Sequence, residues 1–188
     1  MVYLSRIYTK AGDKGETGLG DGSRVSKAGL RVAAIGAVDE TNAAIGIARL
    51  DAQGDRDAML GRIQNELFDL GADLCVPEDG RKAEGALRVT PAQVARLEAE
   101  IDAMNASLAP LTSFILPSGS AAVAALHLAR AVTRRAERAA VELNEAEPLN
   151  AQLLAYLNRL SDHLFVAARF VAAQEGGDVL WQPGATRS

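Results

Sequence analysis

The sequence is poor in the residues that carry most protein-borne chemistry. It has one cysteine, Cys75, so no disulfide can form within the chain. A lone thiol fits a reducing compartment. It has two histidines, His127 and His163, and no Glu-x-x-His. A di-iron carboxylate bundle needs that motif from two helices, and a zinc site needs a His/Cys cluster. Both histidines therefore read as bundle residues. No Gly-x-Ser-x-Gly stands out, so no hydrolase nucleophile is evident. Aromatic residues make up only 4%. No run approaches the ~18 apolar residues of a membrane span. The opening MVYLSRIYTK has no apolar core followed by a small-residue cleavage site. The expectation is a soluble, cytoplasmic protein.

Basic excess is also missing. The 188 residues carry a net charge of −4, and the pI is about 5.3. That disfavours a general nucleic-acid binder. A chain of this length can bury roughly 70% of its unfolded surface in one domain. Alanine and leucine are abundant, which suits closely packed helices. Clean strand alternation is absent beyond four or five residues, although SRIYT could form a short extended piece.

Five helical stretches are expected. They run from about Leu30 to Leu50, Asp57 to Cys75, Thr90 into the segment before LAPLTS, Ser118 to Leu143, and Pro148 to Gln174. In the first, Val32, Ile35, Val38, Ile45 and Ala48 are candidate core. Thr90-Pro91 reads as N-cap and first-turn proline of the third, and Ser118 or Ser120 as cap of the fourth. The fold class is all-α, a bundle of long antiparallel helices. Two long loops, the N-terminal one and that around Pro77 to Val89, are the places expected to bind or move.

The first loop, TKAGDKGETGLGDGSRVSK, holds five glycines and three lysines in nineteen residues. It matches neither the P-loop nor the dinucleotide fingerprint. Its glycines free backbone N–H groups to face an anion, and Lys10, Lys14 and Lys27 supply charge. Asp13, Glu16 and Asp21 weigh against an anion unless Mg²⁺ is also bound. A flexible leader and a phosphate loop both remain open on composition.

In the fourth helix, Arg130, Arg134 and Arg138 recur every four residues and line one stripe. Ala125, Leu128, Val132, Ala136, Ala139 and Leu143 would form the opposite, core face. A solvated basic face is one reading. An all-arginine stripe in an acidic protein also suits planar recognition of phosphate or carboxylate. Asn158 and Asp162 share a face of the fifth helix, and Asp39 could pair with an arginine of the stripe. With no nucleophile in the protein, the reacting groups of any enzymatic reaction would come from the ligands.

Five ordered blocks, YTKAGDKGETGLGDGSRVSK, GAVDETNAAIG, FILPSGS, RRAER and LNRLSDHLF, span Tyr8 to Phe165. Together they resemble the PduO-type corrinoid adenosyltransferases. The resemblance implies a single five-helix, ferritin-like domain over 1–188, with residues 1–27 as a mobile ATP loop, about 30–174 as the bundle and 175–188 as a tail. It implies a homotrimer with sites between subunits. The reaction would move the 5′-deoxyadenosyl group of ATP, with Mg²⁺, to the cobalt of cob(I)alamin, releasing triphosphate. A cobalamin reductase and an adenosylcobalamin-dependent enzyme are the implied partners.

By motif, Thr9, Lys10, Ala11 and Gly12 would wrap the triphosphate, with Thr17, Gly18 and Lys27 completing the loop. Arg134, Arg135, Glu137 and Arg138 would hold phosphates and nucleotide, and Asn158 would contact the nucleotide. Asp39 and Arg130 would pair across the subunit interface. Phe114 would lie under the corrin and displace the lower axial ligand of cob(II)alamin. Taken alone, Phe114 would be a core aromatic beside Ile115 and Leu116. Ala11 stands where many relatives have threonine, and Ser118 where glycine is common. A sensing or corrinoid-carrying module that has lost turnover is the main rival reading, and a nucleic-acid-binding bundle a second.

Overall fold

The computed structural model describes residues 7–187. Five helices dominate it: α1 Leu30–Arg49, α2 Gly54–Leu74, α3 Pro91–Asn105, α4 Ala121–Ala146 and α5 Ala151–Gln174. α4 lies between α1 and α5, α2 packs on α1, and α3 packs on α5. The all-α expectation holds. Of the extended piece expected at 5–9, residues 5 and 6 lie outside the described residues, and 7–9 form no strand. A two-stranded hairpin forms elsewhere, inside the glycine-rich loop. β1 Glu16–Gly18 pairs antiparallel with β2 Arg24–Ser26, with Thr17 opposite Val25.

Local chemistry sets the helix starts. Thr90 N donates to Gln93 Oε1 at 2.8 Å, and Pro91 occupies the first turn, as the sequence suggests. Ser120, not Ser118, caps α4, its hydroxyl accepting from Val123 N at 3.3 Å. α5 begins after Asn150 rather than at Pro148, because the Asn150 side chain accepts from Gln152 N at 3.0 Å.

The core is built from close-packing small residues and leucines. Ala34, Ala37, Ala44 and Ala48 of α1 and Ala129, Ala136 and Ala140 of α4 are buried. Alanine on both helices lets the two backbones approach closely. Leu60, Ile63, Leu67 and Leu70 of α2 and Leu153, Leu157, Leu160 and Leu164 of α5 fill the remainder. Two expected faces are rotated. Val32 and Ile35 are only half-buried, because Arg31 and Ala34 take the inward phase. Leu128 is 51% exposed, while Leu126, Ala129, Thr133, Ala136, Ala140 and Leu143 face the core.

Several polar groups inside the bundle are tied by hydrogen bonds between elements. Arg31 Nη1 donates to Leu74 O at 2.7 Å and its Nη2 to Glu147 at 2.6 Å, joining the start of α1 to the ends of α2 and α4. Asp73 accepts from Arg88, Val89 N and Asn150, which anchors the end of the Pro77–Val89 loop to α2 and α5. The Tyr156 hydroxyl donates to Glu66 at 2.8 Å, and burial together with that carboxylate pushes its pKa well up. His163 lies 2.9 Å from Glu100, which Arg62 also binds.

Burial alone would raise the Glu100 carboxyl. Hydrogen bonds from His163 and Arg62 outweigh it and hold the group down to about 2 from an ordinary 4.5. A carboxylate with a depressed folded pKa stabilises the fold above its unfolded value, and that contribution is lost as pH falls toward the folded one. Glu100→Gln is expected to lower Tm at pH 7. Its Tm should then change less than that of the unmodified chain between pH 5 and 2.5. Thermal unfolding followed by circular dichroism across that range checks this; parallel profiles would contradict the pairing.

Candidate active site

α4 carries two recesses on its solvent side. Toward its C-terminal end, Arg134, Glu137, Arg138, Val141, Glu142 and Glu145 line a groove of about 400 Å³. Arg138 Nη1 donates to Arg134 O at 3.0 Å, which turns its guanidinium back along the helix. Asn158 Nδ2 of α5 donates to Glu137 Oε1 at 2.8 Å. Four residues expected to share a site therefore meet: Arg134, Glu137, Arg138 and Asn158. Arg135 points away and pairs with Glu40 of α1. Asp162 does not join Asn158, since Arg159 takes it at 2.9 Å.

The second recess, of about 610 Å³, adjoins the N-terminal half of α4. Leu111, Phe114, Ile115, Phe165 and Trp181 give it apolar walls, and His127 and Arg130 line it as well. Phe114 is 78% exposed, so it is not the core aromatic its neighbours in sequence would suggest. Its ring meets Trp181 edge-on at 6.0 Å. Backbone bonds hold that pairing: Trp181 N donates to Phe114 O and Leu116 N to Val179 O, both at 2.8 Å. The tail at 175–188 is thus the partner of the FILPSGS segment.

Arg130 sits with its guanidinium carbon 5.8 Å from the Phe165 ring centre. Burial and the charge of Arg134 lower its pKa. Its Nε is buried without a partner among the described residues. Asp39 is exposed and forms no ion pair among them. The Asp39–Arg130 pair does not form within one chain.

The glycine-rich loop is folded rather than loose. Lys27 N donates to Gly15 O at 2.8 Å, and Arg24 Nη2 to Ala11 O at 2.8 Å. Gly12 lies under Lys27, whose Nζ would stand 3.0 Å from a Cβ there. Lys10 adopts φ 60°, a left-handed conformation rare outside glycine. Gly20 N donates to Cys75 O at 2.8 Å and hangs the hairpin on the end of α2. A Cβ on Gly20 would lie 2.9 Å from Val76 Cγ2 and 3.3 Å from Cys75 O, so this close approach requires glycine. No hydrogen bond or ion pair among the described residues joins the loop to the arginine groove.

Residues 7–171 match the family model described as cobalamin adenosyltransferase. The chain belongs to that family. It is 48% identical to the corrinoid adenosyltransferase of Mycobacterium tuberculosis over 100% of this chain and 98% of the relative. It is 50% identical to the cobalamin adenosyltransferase of Cupriavidus metallidurans over 95% of each. A solved variant of the PduO-type ATP:corrinoid adenosyltransferase from Lactobacillus reuteri, complexed with cobalamin and ATP, is 37% identical. It superposes with a TM-score of 0.88, covering 95% of this chain and 97% of that one.

Composition pointed to the loop, spacing to the stripe, and the family resemblance to Phe114. Trp181 was not singled out, and His127 was read only as a bundle residue. The apolar triplet Val179–Trp181 in an otherwise polar tail was the available signal for the first. For His127 there was none, since burial against a cavity wall is a tertiary property.

Gly20→Ala is expected to lift the hairpin off α2. Trypsin cleavage at Lys10, Lys14, Arg24 and Lys27 should quicken severalfold, with the bundle's Tm nearly unchanged. Unchanged cleavage would contradict the tether.

Proposed function

We propose that this chain transfers the 5′-deoxyadenosyl group of ATP to the cobalt of cob(I)alamin, releasing triphosphate and making adenosylcobalamin. One observation carries the reading. An arginine groove and an aromatic cavity lie side by side on α4, one turn apart between Arg130 and Arg134, about 6 Å along the axis. Two ligands, one anionic and one broad and apolar, would meet there.

The chemistry asks little of protein side chains. Co(I) is the nucleophile and attacks the ribose C5′. A cobalt–carbon bond forms as the C5′–oxygen bond breaks, and triphosphate leaves with the electron pair. Cobalt goes formally from Co(I) to Co(III). The protein's work is to align the two substrates and stabilise charge on the leaving group. Arg134 and Arg138 do this as planar donors, with Glu137 and Asn158 holding the nucleoside end. Thr9, Lys10, Ala11, Gly12, Thr17, Gly18 and Lys27 close over the triphosphate. Arg135, tied to Glu40, supports the helix beside them.

Mg²⁺ enters with ATP. Among the described residues no group of three His, Cys, Asp or Glu side chains could hold a metal ion. The ion would be carried by phosphate oxygens and water.

The working unit is a homotrimer with sites between subunits. The exposed Asp39, which forms no ion pair among the described residues, supports it. Asp39 of one subunit would pair with Arg130 of the next. The working place is the cytoplasm; among the described residues no helix is long and apolar enough to cross a membrane. A reductase supplies the reduced corrinoid and an adenosylcobalamin-dependent enzyme takes the product. Phe114, projecting with Trp181 behind it, displaces the lower axial ligand of cob(II)alamin and eases its reduction.

Arg134→Ala is expected to lower kcat at least about 10²-fold, the scale of losing one charge-stabilising donor, with the circular dichroism spectrum unchanged. Near-normal turnover would refute its phosphate role. Phe114→Ala should slow the reaction from cob(II)alamin plus reductant much more than the reaction from chemically supplied cob(I)alamin. Equal losses would refute axial displacement.

A further inference from the structure

Arg169 of α5 is only 7% exposed. Its Nε donates to Asp178 Oδ2 at 3.0 Å and its Nη2 to Ala109 O at 2.8 Å. Asp178 immediately precedes Val179–Trp181, and Ala109 stands at the head of the chain that leads to Phe114. One buried guanidinium therefore grips both strands of the Phe114–Trp181 pairing where they leave the bundle. Gly176 and Gly177, at φ 115° and 100°, reverse the chain past the end of α5 and bring Asp178 back to Arg169. Gly177 N donates to Ala172 O at 2.8 Å and fixes that reversal.

Beyond this grip the strand at 179–181 is lightly held. Leu116 N and Trp181 N make the backbone bonds to its partner strand, and Ser113 Oγ donates to Trp181 O at 3.0 Å. Two short strands with so few bonds are marginal by themselves. A buried guanidinium that loses its carboxylate keeps its desolvation cost, so Arg169 draws Asp178 firmly into place. Phe114 is mostly exposed, and its ring rests edge-on against Trp181. We propose that Arg169 and Asp178 are positioning residues for Phe114. Their ion pair seats the tail, the tail seats Trp181, and Trp181 sets the angle at which Phe114 faces the corrin. This rests on the reading that Phe114 displaces the lower axial ligand of cob(II)alamin. The ion pair takes no part in the bond changes at cobalt.

The test uses the full chain with MgATP and cob(II)alamin. Electron paramagnetic resonance reads the share of bound cob(II)alamin that has lost its lower axial ligand, through the spread of its g values and its cobalt splitting. Asp178→Ala should lower that share severalfold. It should slow the reaction from cob(II)alamin plus reductant about tenfold, a modest loss for a misplaced group, and leave the reaction from supplied cob(I)alamin within about twofold. Asp178→Asn, which keeps an acceptor for Arg169 Nε, should fall between Asp178→Ala and the unmodified chain. Added to Phe114→Ala, Asp178→Ala should cost little more, because the clamp acts only through that ring. The circular dichroism spectrum guards against a folding defect, since Asp178 lies outside the five helices. Equal slowing from both cobalt states, an unchanged axial-ligand signal in Asp178→Ala, or losses that add in the double variant would overturn the assignment. An unmodified chain in which MgATP never removes the axial ligand would instead overturn the Phe114 reading on which it rests.

Discussion

The structure depends on how closely α4 packs against α1. Both helices bury small residues, Ala129, Ala136 and Ala140 on α4 and Ala34 and Ala44 on α1. Small side chains fix the helix depth and rotation together. A larger residue would lift α4 and turn its outer face. That face carries Arg130 at the aromatic cavity and Arg134, Glu137 and Arg138 at the groove. From Arg130 to Arg138 is eight residues, about 12 Å of helix. In the proposed function the helix is the ruler between the two substrates.

The rest of the molecule holds that ruler in place. Arg31 clamps Glu147, just past the end of α4, to the last carbonyl of α2. Asp73 gathers three donors and pins the start of α5 beside the second long loop. Gly20 hangs the glycine-rich loop from the same end of α2. The loop root and these polar ties therefore share the C-terminal end of α2, although the loop makes no bond to the groove among the described residues.

Helices were readable because apolar spacing and capping chemistry are local. Thr90-Pro91 marked its helix start to the residue. Ser118 and Pro148 were less faithful guides, because capping depends on which side chain can reach back to a free N–H, and Ser120 and Asn150 do. The hairpin at Thr17 and Val25 was not readable: three-residue strands among glycines leave no alternation to detect. Arg130, Arg134 and Arg138 were visible as a stripe, yet burial divides them, with Arg130 half-buried at the cavity and the other two exposed at the groove. Asp39 carries a different lesson: it was legible as a residue, yet it is exposed and forms no ion pair among the described residues, so the pairing proposed for it needs a second chain.

In this account the protein supplies no bond-making group, so both halves of the product must come from the ligands. An anaerobic reaction of the purified chain with MgATP and cob(I)alamin tests that directly. The account predicts that the Co(I) absorption band decays at a rate proportional to protein. One light-sensitive adenosylcobalamin and one triphosphate should appear for each ATP consumed. Tight ATP binding with no loss of the Co(I) band, or cleavage of ATP to ADP and phosphate without cobalt alkylation, would contradict it.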